Sequence, residues 1–163
     1  MKNLNILKHY KNLIFFAFKR FEGDNYSSMR NYFAKVLILD LEGYLTLNNK
    51  KIIDVGGSTG EISKYIGENF DCEIVNLEPE PIENVWETVK GSANEIPYED
   101  NYFDLVLFRN VLEHIPPNKQ QSSLDEIFRV LRNGGFGYFV IPPWYSFHGG
   151  HHLKPFHILP FNL

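Results

Sequence analysis

The chain contains a single cysteine, Cys72, which rules out a disulfide framework and a multi-cysteine metal site. A reducing cytoplasm is the expected setting. No apolar run approaches the ~20 residues needed to cross a bilayer. The nearest candidate, Leu13 to Phe18, is short, and Lys19, Arg20 and Phe21 stand where a signal-peptide cleavage site needs small residues. Positive charge is not in excess either: a net charge of -4 argues against a dedicated nucleic-acid binder. Internal repeats and low-complexity segments are also absent. What remains is ordinary globular composition, 44% hydrophobic and 22% charged over 163 residues, enough for one domain with a real core.

The charge is uneven. Lys2, Lys8, Lys11, Lys19 and Arg20 crowd the start, and the acids dominate afterwards. In the same stretch Leu7, Tyr10, Ile14, Ala17 and Phe21 recur at helical spacing, which predicts an amphipathic helix. Its apolar face is expected to pack on its own domain or on a partner; a basic helix lying weakly on a membrane surface is the alternative. A second helix, capped by Asp24 or Asn25 and marked by Met29, Phe33, Val36 and Leu37, is expected to end near Leu41. These two helices make an N-terminal segment, 1–46. A cofactor-binding α/β core spans 47–142, and an aromatic and histidine-rich tail spans 143–163.

Within the core, strands are expected from Lys51, over Cys72–Leu77, near Thr88–Lys90, over Phe103–Phe108 and over Phe136–Ile141. The helix after the first strand, capped by Ser58 or Thr59, turns Ile62, Tyr65, Ile66 and Phe70 inward. A short turn is expected around Ile82 to Trp86. A later helix opens at Pro116-Pro117, buries Leu124, Ile127, Phe128 and Leu131, and stops at Asn133-Gly134-Gly135 through a left-handed cap. Strands alternating with helices predict an α/β, Rossmann-like three-layer sandwich around a mostly parallel sheet of about five strands.

The densest chemical information lies where the first strand runs into Asp54-Val55-Gly56-Gly57-Ser58-Thr59-Gly60. A turn of small residues between strand and helix lets a ligand approach the main chain without meeting side chains. Glu78 closes the second strand beside that turn, so the pair reads as a nucleotide-type cofactor site. Nicotinamide-binding spacing would need glycines at 56, 58 and 61, but Ser58 and Glu61 occupy two of those positions. A Gly-Lys-Ser/Thr phosphate loop is also lacking, and a plain structural turn stays open on these residues alone.

Asp54–Gly60 resembles the first motif of class I S-adenosylmethionine-dependent methyltransferases, small-molecule type, usually Asp-Val-Gly-Cys-Gly-Thr-Gly. Further landmarks agree in order: Glu78, Ser92-Ala93-Asn94-Glu95-Ile96-Pro97-Tyr98 before Phe103-Asp104-Leu105-Val106, then Val111-Leu112-Glu113-His114-Ile115 and Arg129–Gly135. The resemblance implies S-adenosyl-L-methionine as cofactor. Asp54 would organise the turn, with Gly57 and Ser58 inside it, and Gly56 and Gly60 would line the methionine end. Glu78 would accept from both ribose hydroxyls, Ser92 and Ala93 would sit at the adenine, and the Arg109 backbone would lie near the cofactor amino group. Ser58 replaces the motif's middle glycine, which is expected to narrow the pocket.

His114 is the candidate catalytic residue, placed at the carboxyl edge of the sheet where an acceptor hydroxyl would lose its proton. Trp144 to His152 and His157 bring aromatics and imidazoles to the same edge, and the tail resembles loops of surface-glycan methyltransferases. Histidine clustering fixes neither ligand count nor geometry, so no metal is assigned. The family sheet normally has seven strands, and this chain is expected to be C-terminally truncated relative to it. The fifth strand would then be an exposed edge, covered by the N-terminal helices, the tail or a second copy in a homo-oligomer. The expected function is methyl transfer to a small-molecule or glycan acceptor. The alternatives are a non-catalytic cofactor-binding remnant or partner subunit and, third, a nucleotide-binding oxidoreductase.

Overall fold

A computed structural model of the chain describes residues 5–19, 22–81 and 85–142. Two helices come first, α1 over Ile6–Lys19 and α2 over Asn25–Leu41. They are followed by β1 (Lys51–Val55), α3 (Glu61–Asn69), β2 (Glu73–Glu78), β3 (Thr88–Lys90) and β4 (Phe103–Arg109). A single 3-10 turn at Leu112–His114, α4 over Pro117–Val130 and β5 over Leu131–Val140 complete the order.

The five strands form one sheet in the order β3-β2-β1-β4-β5, and every pairing is parallel. Parallel strands covered on both faces read as continuous apolar runs, and each successive side chain must find its own layer. Ile52, Leu105 and Leu107 meet Ala34, Leu37 and Leu41 of α2 and Ile62 and Ile66 of α3. Their neighbours Ile53, Val55, Val106 and Phe108 meet Ile127 and Val130 of α4 on the other face. The result is the expected Rossmann-like three-layer sandwich. Strand order runs outward from β1 to β2 and β3 on one side and through β4 to β5 on the other. The carboxyl ends of β1 and β4 therefore flank the switch point where α/β sheets open a ligand crevice. No sixth strand pairs with β5 among the described residues.

Several expectations need correction. In α1, Leu7, Tyr10 and Ile14 are 60–69% exposed, so this face does not pack on the chain's own domain, toward which Phe16 is turned instead. Phe21 and most of the Ile82–Trp86 turn, as well as the whole 143–163 tail with its histidines, lie outside the described residues. Neither Ser58 nor Thr59 caps α3: the N-cap is Gly60 at φ +87°, with no side-chain capping bond. Asp24 does hold the N-cap position of α2, but its side chain makes no capping bond.

The end of α4 differs most. The helix stops at Val130, where Leu131 is already extended, and Phe128 points to solvent at 65% exposure while Ser123 is buried. Gly134, at φ +75°, belongs to β5, whose pairing with β4 jumps from Phe103↔Leu131 to Leu105↔Phe136. The glycines thus serve a bulge in the strand. Arg132 Nη1 holds it there, 2.6 Å from Asp104 Oδ1, while Asp104 Oδ2 accepts the Lys51 N–H at 2.8 Å.

Candidate functional site

The turn after β1 is built over a buried carboxylate. Asp54 is 1% exposed, and its Oδ2 takes the Ser63 hydroxyl at 3.3 Å and Arg109 Nη2 at 3.4 Å. Gly57 lies directly above: a Cβ there would fall 2.6 Å from Asp54 Oδ2 and run into the Asn76 amide oxygen. The backbone can pass this close only without a side chain. Gly56, at φ +72°, extends the ladder by donating its N–H to Leu77 O at 2.9 Å, and a Cβ on it would press into Val111.

Two long-range contacts fix the rest of the turn. Asn76 Nδ2 donates to Ser58 O at 2.8 Å, and Arg30 of α2 reaches across to Gly57 O at 3.1 Å. Arg30 Nε also lies 3.4 Å from Glu61 Oε2, tying α2 to the start of α3. Ser58 itself sits at φ +62°, a left-handed conformation that costs a residue with a Cβ on the order of 1 kcal/mol. Its hydrogen bonds here are made by backbone atoms, which glycine would keep. Ser58→Gly is therefore expected to raise stability, by up to about 1 kcal/mol, in urea unfolding; a loss would show that the hydroxyl matters.

Glu78 closes β2 against this turn and accepts the Ser58 N–H with Oε1. Burial pushes its carboxyl above the ordinary value; the Ser58 N–H pulls it back in part, and the Asp54 charge adds to the rise. A half-buried carboxylate with a raised pKa beside an open cavity is a candidate ligand group.

That cavity, about 730 Å³, lies at the carboxyl ends of β1, β2 and β4, within the size range of small-molecule sites. Gly56, Ser58, Glu78, Ser92, Ala93, Arg109 and His114 all line it, so seven of the ten sequence candidates come together around one cavity. Asp54 lies beneath the turn, and Gly57, within it, does not line the cavity. Gly60 departs from expectation: as the α3 cap it abuts Trp86, with space for a Cβ only 3.1 Å from Trp86 Cβ, and does not line the cavity. Arg109 meets the cavity wall while its guanidinium runs to Asp54.

The wall carrying Ser92 and Ala93 is held from the far side. Arg129 of α4 donates to the carbonyls of Tyr98 and Ile96 at 2.8 and 2.9 Å and pairs with Glu126 and Asp100. Glu126 also accepts the Ile96 N–H at 2.8 Å, and the Arg129 hydrogen bond holds its carboxyl below the ordinary value. Trp86 covers the outer edge of β2, its indole N–H on Ile74 O at 2.9 Å where short β3 does not reach.

Residues that local sequence did not single out also line the cavity: Tyr26 and Arg30 from α2, and Asn110 after β4. Asn110, at φ +54°, bends the chain out of β4. A second cavity of about 530 Å³ shares Arg30, Arg109 and Asn110 with the first and is otherwise walled mainly by Met29, Phe33, Val36, Tyr138 and Val140. The Tyr138 hydroxyl donates to Asp40 Oδ2 at 2.8 Å, and burial with that bond pushes its pKa up to about 12. It is a fixed donor, not a base.

Comparison with known proteins agrees with this geometry. Residues 53–139 match the family described as a methyltransferase domain. An uncharacterized methyltransferase of Mycobacterium sp. (strain JLS) is 29% identical over 70% of this chain and 47% of its own length. The demethylmenaquinone methyltransferase of Oceanobacillus iheyensis is 31% identical over 51% of this chain and 36% of its own. This chain thus spans about half the length of such relatives, or less. A solved structure from Methanococcus maripaludis, titled a putative S-adenosyl-L-methionine-dependent methyltransferase, superposes with a TM-score of 0.57 at 20% identity, covering 69% of this chain and 62% of that one. At that identity the likeness is one of fold.

Proposed function

Because this chain belongs to the methyltransferase-domain family, whose class I members use S-adenosyl-L-methionine, we propose that it transfers the cofactor's methyl group to a small molecule with an apolar body. The observation that carries the reading is Glu78, a half-buried carboxylate facing a cavity whose floor is a glycine turn with no room for side chains. The residues present fit the cofactor: Glu78 as acceptor for a ribose diol, the backbone around Gly56 for the methionine end, and Ser92 and Ala93 beside a flat base. The cofactor supplies a methyl group already activated on a sulfonium centre.

The chain's own work is then binding, alignment and exclusion of water. Arg30, Arg109 and Asn110 stand between the two cavities, so an acceptor in the apolar chamber would meet the methyl group at that junction. His114, exposed at the mouth of the cofactor cavity, is the side chain proposed to take a proton from the acceptor. A glycan acceptor, suggested by the tail's resemblance, has no comparable support among the described residues.

Calorimetry with S-adenosylmethionine, S-adenosylhomocysteine and NAD tests the cofactor. Binding of the first two and not the third is expected; the reverse overturns the reading. Transfer of a labelled methyl group across a panel of apolar acceptors tests the reaction. Binding with no transfer to any of them would move the assignment to a cofactor-binding partner subunit.

A further inference from the structure

Helix α1 is attached to the rest of the protein by one face only. His9 Nδ1 lies 2.6 Å from the Tyr32 hydroxyl, and Phe16, 9% exposed, packs its ring 5.8 Å from the Tyr32 ring. At about 100° per residue, Ile6, Tyr10, Ile14, Leu7 and Phe18 fall in order on an arc of about 120° on the opposite side. Their exposures are 64, 60, 61, 69 and 82%, high for five large apolar side chains on one contiguous stripe. Lys11 borders the stripe and Lys8 follows beyond Phe15, while Lys19 is turned to Glu22 at 2.8 Å. The helix contains no acidic residue, and all twenty acids of the chain lie beyond Arg20.

We propose that α1 is a peripheral anchor that lays its Ile6–Phe18 stripe into the surface of a bilayer bearing anionic lipid. An outward apolar arc sinks to the level of the acyl chains, and lysines on its flank reach the headgroups while their stems cover apolar surface. Tyr10 sits on the stripe, where an amphipathic ring suits the interface. Charge chooses this occupant over a second copy of the chain. Antiparallel pairing of two α1 helices sets lysine flank against lysine flank, and parallel pairing offers those lysines no acid on either side. An anionic surface supplies the missing countercharge.

Co-sedimentation of the full chain with vesicles tests this. Vesicles of phosphatidylcholine with phosphatidylserine should bind it more than about tenfold better than phosphatidylcholine alone, and added salt should release it. Ile14→Glu with Phe18→Glu should abolish binding while leaving the thermal transition and S-adenosylhomocysteine affinity unchanged, since both side chains point away from the body. Lys8→Gln with Lys11→Gln should remove the preference for anionic lipid and provides the readout if the first variant fails to fold. No vesicle binding by the parent chain overturns the proposal, as does binding that survives both variants. A dimer in solution that the Glu variant dissolves would assign the stripe to a second copy instead.

Discussion

Replacing Glu78 with alanine should weaken S-adenosylhomocysteine binding by about 10- to 100-fold, since even one hydrogen bond to a charged group is worth about 1.5–3 kcal/mol. Glu78→Gln should fall between, because an amide keeps one acceptor oxygen but not the charge. Stability should move the other way. Burial raises this carboxyl above its ordinary value of 4.5, so the folded chain favours the protonated form. That contribution is complete below the unfolded value and is lost as pH rises through the folded one. At neutral pH the ionised group therefore costs stability, and Glu78→Gln should show an equal or higher melting temperature. Ligand affinity should drop on acidification over the same window, as the acceptor becomes a donor. Calorimetry and thermal melts on the two variants read both quantities. Unchanged affinity in Glu78→Ala would remove the ribose role from this residue and send it to Glu80, the next carboxylate along.

The parts of this protein that were legible in the sequence are those set by local pattern. Apolar runs such as Ile52–Val55 and Phe103–Phe108 had to be strands buried on both faces, and the turn from Gly56 to Gly60 had to admit a backbone that side chains would block. Glu78 could be placed because it closes a strand that the topology carries to the edge of the glycine turn, whereas Ser92 and Ala93 are placed only through the family resemblance. What could not be read is whatever depends on distant partners. Arg30 reaches the glycine turn from 27 residues away, and Trp86 covers the edge of β2 that short β3 leaves open; neither has a local signature. In α1 the sequence leaves the Leu7, Tyr10 and Ile14 face open between the chain's own domain, a partner and a membrane surface, because both sides of the helix carry apolar residues and periodicity alone does not say which side meets the body. Gly134-Gly135 looked like a helix stop, yet the Arg132–Asp104 pair makes it a bulge. The same composition serves either purpose.

The buried pair under the cofactor turn should give the largest stability change in the molecule. Asp54 side-chain exposure is 1% and that of Arg109 is 14%, so the carboxylate is the deeper partner. Arg109→Met keeps most of the aliphatic stem and strands that carboxylate with only the Ser63 hydroxyl at 3.3 Å. Breaking a buried pair from one side costs about 3–5 kcal/mol, because the remaining charge has been desolvated without compensation. Asp54→Asn should cost less, since a neutral amide needs no countercharge and Arg109 retains access to the cavity. Combining Arg109→Met with Asp54→Asn should recover much of the loss, a coupling that a double-mutant cycle in urea measures directly. The unscreened Asp54 charge left by Arg109→Met would also add to the existing push of Asp54 on Glu78, carrying the damage from beneath the turn to the ligand wall. Additive single-variant losses would mean that the 3.4 Å contact is packing rather than an ion pair, and that the turn rests on the Gly57 close approach alone.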